Sequence, residues 1–155
     1  MITQTQREYL DSLNQGNARR ADLNKALDRS EKVVALLYDF SVSGGATADY
    51  NLTDIDGNTY ATEEACVVTK IIALEQSALT SGGSATVQLK AGSTNLSDAE
   101  AFDTGFTGAD SLALASSATA IAVATGQTLK ITVAGAALTA GKVIFYVYMV
   151  PQRTN

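Results

Sequence analysis

The sequence predicts a mainly β protein, a single β-sandwich or jelly-roll-like domain of about seven or eight strands preceded by an N-terminal helical arm. Three observations carry that expectation. Gly, Thr, Ser and Ala dominate from Ser41 to Gly141, a composition of short strands and turns rather than of packed helices. Several segments in that stretch alternate apolar and polar residues with period two. Up to Leu37, by contrast, apolar residues recur at alternating spacings of three and four. At 155 residues, the chain has room for one core with an appendage.

The arm is expected over residues 1–37 and the β-domain over 38–155. Stepping from Ile2 through Tyr9, Leu13, Leu23, Leu27, Val34 and Leu37 follows heptad spacing, with polar residues at about half of the seam positions. Asn14-Gln15-Gly16-Asn17 interrupts the helix, because Gly costs about 1 kcal/mol against Ala and Asn competes for backbone hydrogen bonds. A helix of this quality is marginal alone in water, so its stripe must pack on something. Leu13, Leu23, Leu27, Val34 and Leu37 are the expected buried face, serving oligomerisation or attachment to a partner. Between Val33 and Leu37 the helical and strand periods both fit.

From Leu36 the two-residue period of Leu36, Tyr38, Phe40 and Val42 predicts a strand ended by Ser43-Gly44-Gly45. Asp56-Gly57, between short β-prone runs, predicts a tight hairpin. The near-continuous apolar run from Cys66 to Leu74 reads as a strand covered on both faces. Ser81-Gly82-Gly83-Ser84 turns the chain into Ala85–Ala91, whose Val87 and Leu89 alternate with Gln88 and Lys90. Ser97 and Glu100 have the spacing of a capping box and predict a short helical turn. Thr119 to Val123, Thr128 to Val133 and Lys142 to Val150 supply the closing strands, with Pro151 as the stop.

Net charge is −5. Through Phe40 acids and bases balance, so the remainder carries the whole deficit. An acidic body without a clustered basic face argues against nucleic-acid binding. No apolar run approaches the length of a membrane-spanning helix, and the first residues lack the apolar stretch of a signal peptide. Cys66 is the only cysteine, and Val67 and Val68 beside it suggest a buried strand thiol.

Catalysis has little to work with. Histidine is absent, which excludes Ser-His-Asp and Cys-His sites and the common zinc sites. No enzyme, cofactor, metal or small-molecule substrate is expected. Glu63 and Glu64 are adjacent, and neighbours on a strand point to opposite faces. The stretch Gly135 to Lys142 fails as a phosphate loop on spacing, on Val143 and on the strand that follows, and reads as a hairpin loop. Asp54 to Asn58 opens like a calcium loop but lacks its glycine and its bidentate glutamate. Tyr146 and Tyr148 share one face of the last strand and could stack on a sugar or form a subunit interface.

The run ALTSGGSATVQLKAGSTNLSDAEAF, followed by TLKITVAGAALTAGKVIFYVYMV, resembles the β-domains of tailed-bacteriophage virion proteins, in particular small head decoration or cement proteins and head fibres. The stretch from Leu138 to Val150, a glycine-bearing turn leading into a long aromatic strand, is the most specific part. The resemblance spans about Glu63 to Pro151. It implies a non-enzymatic virion protein made in the host cytoplasm, frequently a homotrimer, bound to the major capsid protein on the capsid surface. A tail fibre or baseplate adaptor, and a carbohydrate-binding jelly roll using Tyr146 and Tyr148, are the competing readings.

Overall fold

The computed structural model describes residues 31–102, 106 and 108–152. The chain divides into two units, Met1–Ser30 and Glu31–Asn155, and the described residues all belong to the second. Leu13, Leu23, Leu27 and the arm as far as residue 30 therefore lie outside the described residues.

Ten strands are present among the described residues, more than the seven or eight expected. They are β1 (Lys32–Asp39), β2 (Asp49–Asn51), β3 (Cys66–Ser81), β4 (Ala85–Ala91), β5 (Thr94–Asn95), β6 (Glu100–Ala101), β7 (Ala109–Leu112), β8 (Ile121–Val123), β9 (Leu129–Gly135) and β10 (Leu138–Pro151). The first sheet has the order β1-β10-β3-β7, with β8 also pairing β3. The second has the order β2-β9-β4-β5, with β6 also pairing β4. Every pairing is antiparallel.

The two sheets form a sandwich, and their inner faces share one core. Leu36 and Tyr38 of β1, Val68, Ile71 and Ala73 of β3 and Val143, Phe145 and Val147 of β10 enter from the first sheet. Val87 and Leu89 of β4 and Ile131 and Val133 of β9 enter from the second. Full burial of each large side chain contributes about 1.5–3 kcal/mol before ordering costs. Val68 and Ile71 are three residues apart, yet both are fully buried, which period two forbids in a regular strand. A register shift opposite Tyr148 and Met149 resolves this, because one extra residue in β3 returns Ile71 to the core side.

Several expectations are corrected. Val33 to Leu37 are strand, because β1 pairs residue for residue with β10, from Lys32 opposite Met149 to Asp39 opposite Lys142. The β-body thus begins at Lys32, ahead of the boundary expected at 38. Val34 and Leu37 consequently lie on opposite faces of β1 and cannot share one helical stripe. Val34 packs on the core, while Leu37 is half-buried on the outer side.

The strand expected through Val42 ends early. Asp39 accepts the Ser41 amide at 3.0 Å and starts a single helical turn, α1 (Phe40–Ser43), which leaves Val42 81% exposed. The helical turn expected at Ser97 to Glu100 is absent. Ser97 is fully buried, and its hydroxyl is taken by the backbone amide of Leu89, so it has no helix amides to cap. The stretch from Gly135 to Gly141 is not a hairpin loop, since β9 and β10 belong to different sheets and the chain crosses between layers there. Within β10, Gly141 has φ of +114°, and a Cβ at that position would come within 2.8 Å of the Leu79 Cα. Glycine lets β3 and β10 approach at their irregular ends.

Candidate functional site

The outer faces of the two sheets differ in chemistry. Outward positions on the second sheet are Thr86, Gln88 and Lys90 of β4, Lys130 and Thr132 of β9, and Asp49 and Asn51 of β2. They interact along the ladder: Asp49 accepts a hydrogen bond from the Thr132 hydroxyl and lies 3.2 Å from Lys130 Nζ and 3.8 Å from Lys90 Nζ. The Thr132 hydroxyl first, and the two lysines after it, hold the Asp49 carboxyl below its ordinary pKa. This face is built for water.

The first sheet presents the opposite character outward. Its rows, read across β1, β10 and β3, are Val33-Tyr148-Lys70, Ala35-Tyr146-Ile72 and Leu37-Ile144-Leu74, with Val150 opposite Val67 beyond them. The reason lies in the sequence of β3 from Cys66 to Leu74 and of β10 from Val143 to Val150, which are apolar at nearly every position and so put side chains of the same kind on both faces. The inner face is covered by the second sheet. Nothing among the described residues covers the outer one. Val33 is 50% exposed, and Ile55 at the neighbouring turn is 87% exposed.

Ile55 belongs to the turn expected around Asp56-Gly57. The turn forms, closed by the Asp54 amide on the Asn58 carbonyl at 2.9 Å, with Gly57 at φ of +84°. The Asp54 carboxylate accepts the amides of Asp56 and Asn58 at 3.0 and 2.9 Å. Its chemistry is that of a turn cap. The flanking hairpin is shorter than expected, with a single bridge between Thr53 and Thr59, but Leu37 donates to the Thr53 carbonyl and ties the turn to β1. Ile55 thereby rims a hollow of about 250 Å³ on the outer face, lined also by Ala35, Leu37, Gln76, Lys142 and Ile144.

Tyr146 and Tyr148, singled out in the sequence, both lie on this face. The Lys70 ammonium sits 5.5 Å from the Tyr148 ring centre, a cation–π distance that also occupies that ring. The remaining charges at this face are the Asp39–Lys142 pair, 3.4 Å apart, and Glu31, whose carboxylate accepts a hydrogen bond from the Thr69 hydroxyl at 2.9 Å. Cys66 lies on the inner side, 4% exposed, with its sulfur 3.6 Å from Met149 Sδ. Burial pushes its thiol pKa up, as befits a core residue. Sequence reasoning missed the extent of the apolar face, which includes Val33, Ala35, Leu37, Ile72 and Leu74 beside the two tyrosines. The doubly apolar pattern of β3 and β10 was the signal for it.

Compared by sequence, the chain matches no family profile and no curated protein. Compared by structure, it is similar to a chain of the acidic stable capsid structure of Helicobacter pylori bacteriophage KHP30, at 13% identity and a TM-score of 0.51. That match covers 79% of this chain and 89% of the other, so the shared fold takes in most of both. A chain of the virus-like particle of the giant freshwater prawn Macrobrachium rosenbergii extra small virus is 15% identical, with 80% of each chain covered and a TM-score of 0.35.

Proposed function

We propose that this protein is a non-enzymatic virion structural protein, a capsid decoration or cement protein that binds the major capsid protein lattice and stabilises the head. The observation that carries the reading is the fold shared over most of both chains with a chain of a bacteriophage capsid structure. The resemblance of the stretch from Glu63 to Pro151 to head decoration proteins points the same way. The physical layout supports it: a rigid sandwich with one polar and one apolar outer face can lie on a lattice and bury surface without any reactive group.

In this reading residues 1 to 30, with Leu13, Leu23 and Leu27, supply homotrimerisation or shell attachment. Three linked copies bind a lattice far more tightly than one. The test is decoration of isolated heads, scored by electron microscopy and by co-sedimentation, with the full chain and with a variant lacking residues 1–30, which keeps β1 intact. The full chain is expected to sediment with heads and the shortened one to stay in the supernatant. Equal decoration by the shortened chain overturns the assignment of residues 1–30, and antibody labelling of tails instead of heads would replace the decoration reading with that of a tail adaptor.

A further inference from the structure

We infer that the protein lies on the shell with the outer face of its first sheet against the major capsid protein, so that Tyr146, Tyr148 and the hollow at Ile144 are covered while the outer face of the second sheet stays in water. This orientation rests on the virion reading above and deepens it by naming the surface that makes the contact.

The two outer faces differ in what it costs to dry them. On the second sheet Asp49 holds Lys90, Lys130 and the Thr132 hydroxyl in one exposed cluster, and covering it desolvates charges that already have their partners. The first sheet has the opposite balance. Its rows are chiefly apolar, and its charges cancel, Lys70 and Lys142 against Glu31 and Asp39. In a chain of net charge −5, a partner laid on this face buries tyrosines and aliphatic side chains and leaves most of the acidic surface hydrated.

The course of the chain leads to the same face. Glu31 precedes β1, yet its carboxylate accepts the Thr69 hydroxyl of β3 at 2.9 Å, with β10 lying between the two strands. That bond is exposed, so the Glu31 side chain crosses β10 on its outer side. The 30 residues before it are therefore joined to the body at the margin of the apolar face. They are the segment assigned above to shell attachment, and a partner held through them is kept near this face at high effective concentration.

The size of the face fits a shared attachment. Three strands and four rows cover roughly 400 Å² at ordinary sheet spacings, about half of the ~800 Å² per partner of a standard interface. Alone it holds a free partner weakly. As the second contact of a protein already attached through residues 1–30, it adds to the binding without having to supply all of it.

The test is lysine acetylation of the full chain, free and on isolated heads, read residue by residue by mass spectrometry. Lys70 and Lys142 are expected to lose most of their reactivity on heads, while Lys90 and Lys130 keep theirs. Protection of Lys90 and Lys130, or of none of the four, overturns the orientation and leaves the virion reading standing on the binding itself. A chain that does not sediment with heads overturns both. Lys70 and Lys142 already unreactive in the free chain overturn the orientation as well: recovery on dilution assigns the face to a second copy, and recovery on deleting residues 1–30 assigns it to that segment. Co-sedimentation of variants is the second measurement. Ile144→Glu, with the circular dichroism of the parent, is expected to weaken binding to heads about tenfold or more, and Lys90→Glu to leave it unchanged. Equal weakening by both overturns the assignment.

Discussion

The Ser97 hydroxyl accepts the backbone amide of Leu89 at 2.9 Å and donates to the Asp98 carbonyl at 2.8 Å, with no part of Ser97 open to solvent. This side chain stands in for a ladder bond. It completes the edge of β4 where the following chain, held by Leu96 and Ser97 amides on the Leu89 carbonyl, turns away. Ser97→Ala strands a buried amide and is expected to cost about 1–3 kcal/mol. Urea denaturation should show a lower midpoint at unchanged slope.

A Cβ on Gly45 would lie 1.7 Å from the Leu138 carbonyl oxygen, and the Gly45 carbonyl itself accepts the Leu138 amide at 2.8 Å. Both sides of this contact are backbone, so no side chain can swing aside. Gly45→Ala is expected to destabilise by at least the ~1–3 kcal/mol of ordinary overpacking. Gly82→Ala, where a Cβ meets nothing within 4 Å, should change the denaturation midpoint by less than about 0.5 kcal/mol equivalent.

Cys66 lies beside a narrow notch of about 40 Å³ formed with Tyr60, Thr62 and Met149, too small for an aromatic disulfide reagent. With access closed and the thiol pKa raised, first by burial and then by Glu64, the native protein should react negligibly at about pH 8. Labelling followed through a denaturant series should coincide with the loss of β-sheet circular dichroism. Fast labelling of the native protein would refute this burial.

Asp49 titrates below its ordinary pKa, so its contribution to stability is present above about pH 4 and is lost as pH falls through the folded-state pKa. Its side chain is 43% exposed, and solvent screening keeps that contribution small. Asp49→Asn should therefore lower stability modestly at neutral pH, and the gap to the parent should close as pH falls below about 4. Thermal denaturation of both proteins across pH 2.5 to 7, roughly the carboxylate range, measures this directly.

Much of this architecture was legible because period-two patterns survive in the second sheet. Ala85–Ala91 was readable to the residue, since Gln88 and Lys90 face water while Val87 and Leu89 face the core. The bulge in β3 and the crossing from β9 to β10 were not. Each depends on which distant strand lies alongside, and a local pattern holds no such information. Ser97 misled for a related reason: the spacing of a capping box is local, whereas the amide that takes its hydroxyl is eight residues back. For the outer face, Tyr146 and Tyr148 were visible as a pair. Their neighbours Ala35 and Ile72 became neighbours only through the register of three strands separated by long stretches of chain.

In the first sheet β10 lies between β1 and β3, so Lys32 finds its partner in Met149 and Cys66 in Pro151. A nascent chain leaving the ribosome therefore carries two apolar strands that remain without their shared neighbour until β10 has been synthesised. Sheet closure must then wait for β10, and the wide sequence separation makes it slow relative to hairpin formation. Refolding from denaturant should be correspondingly sensitive to protein concentration, because the waiting strands of one chain can be captured by those of another.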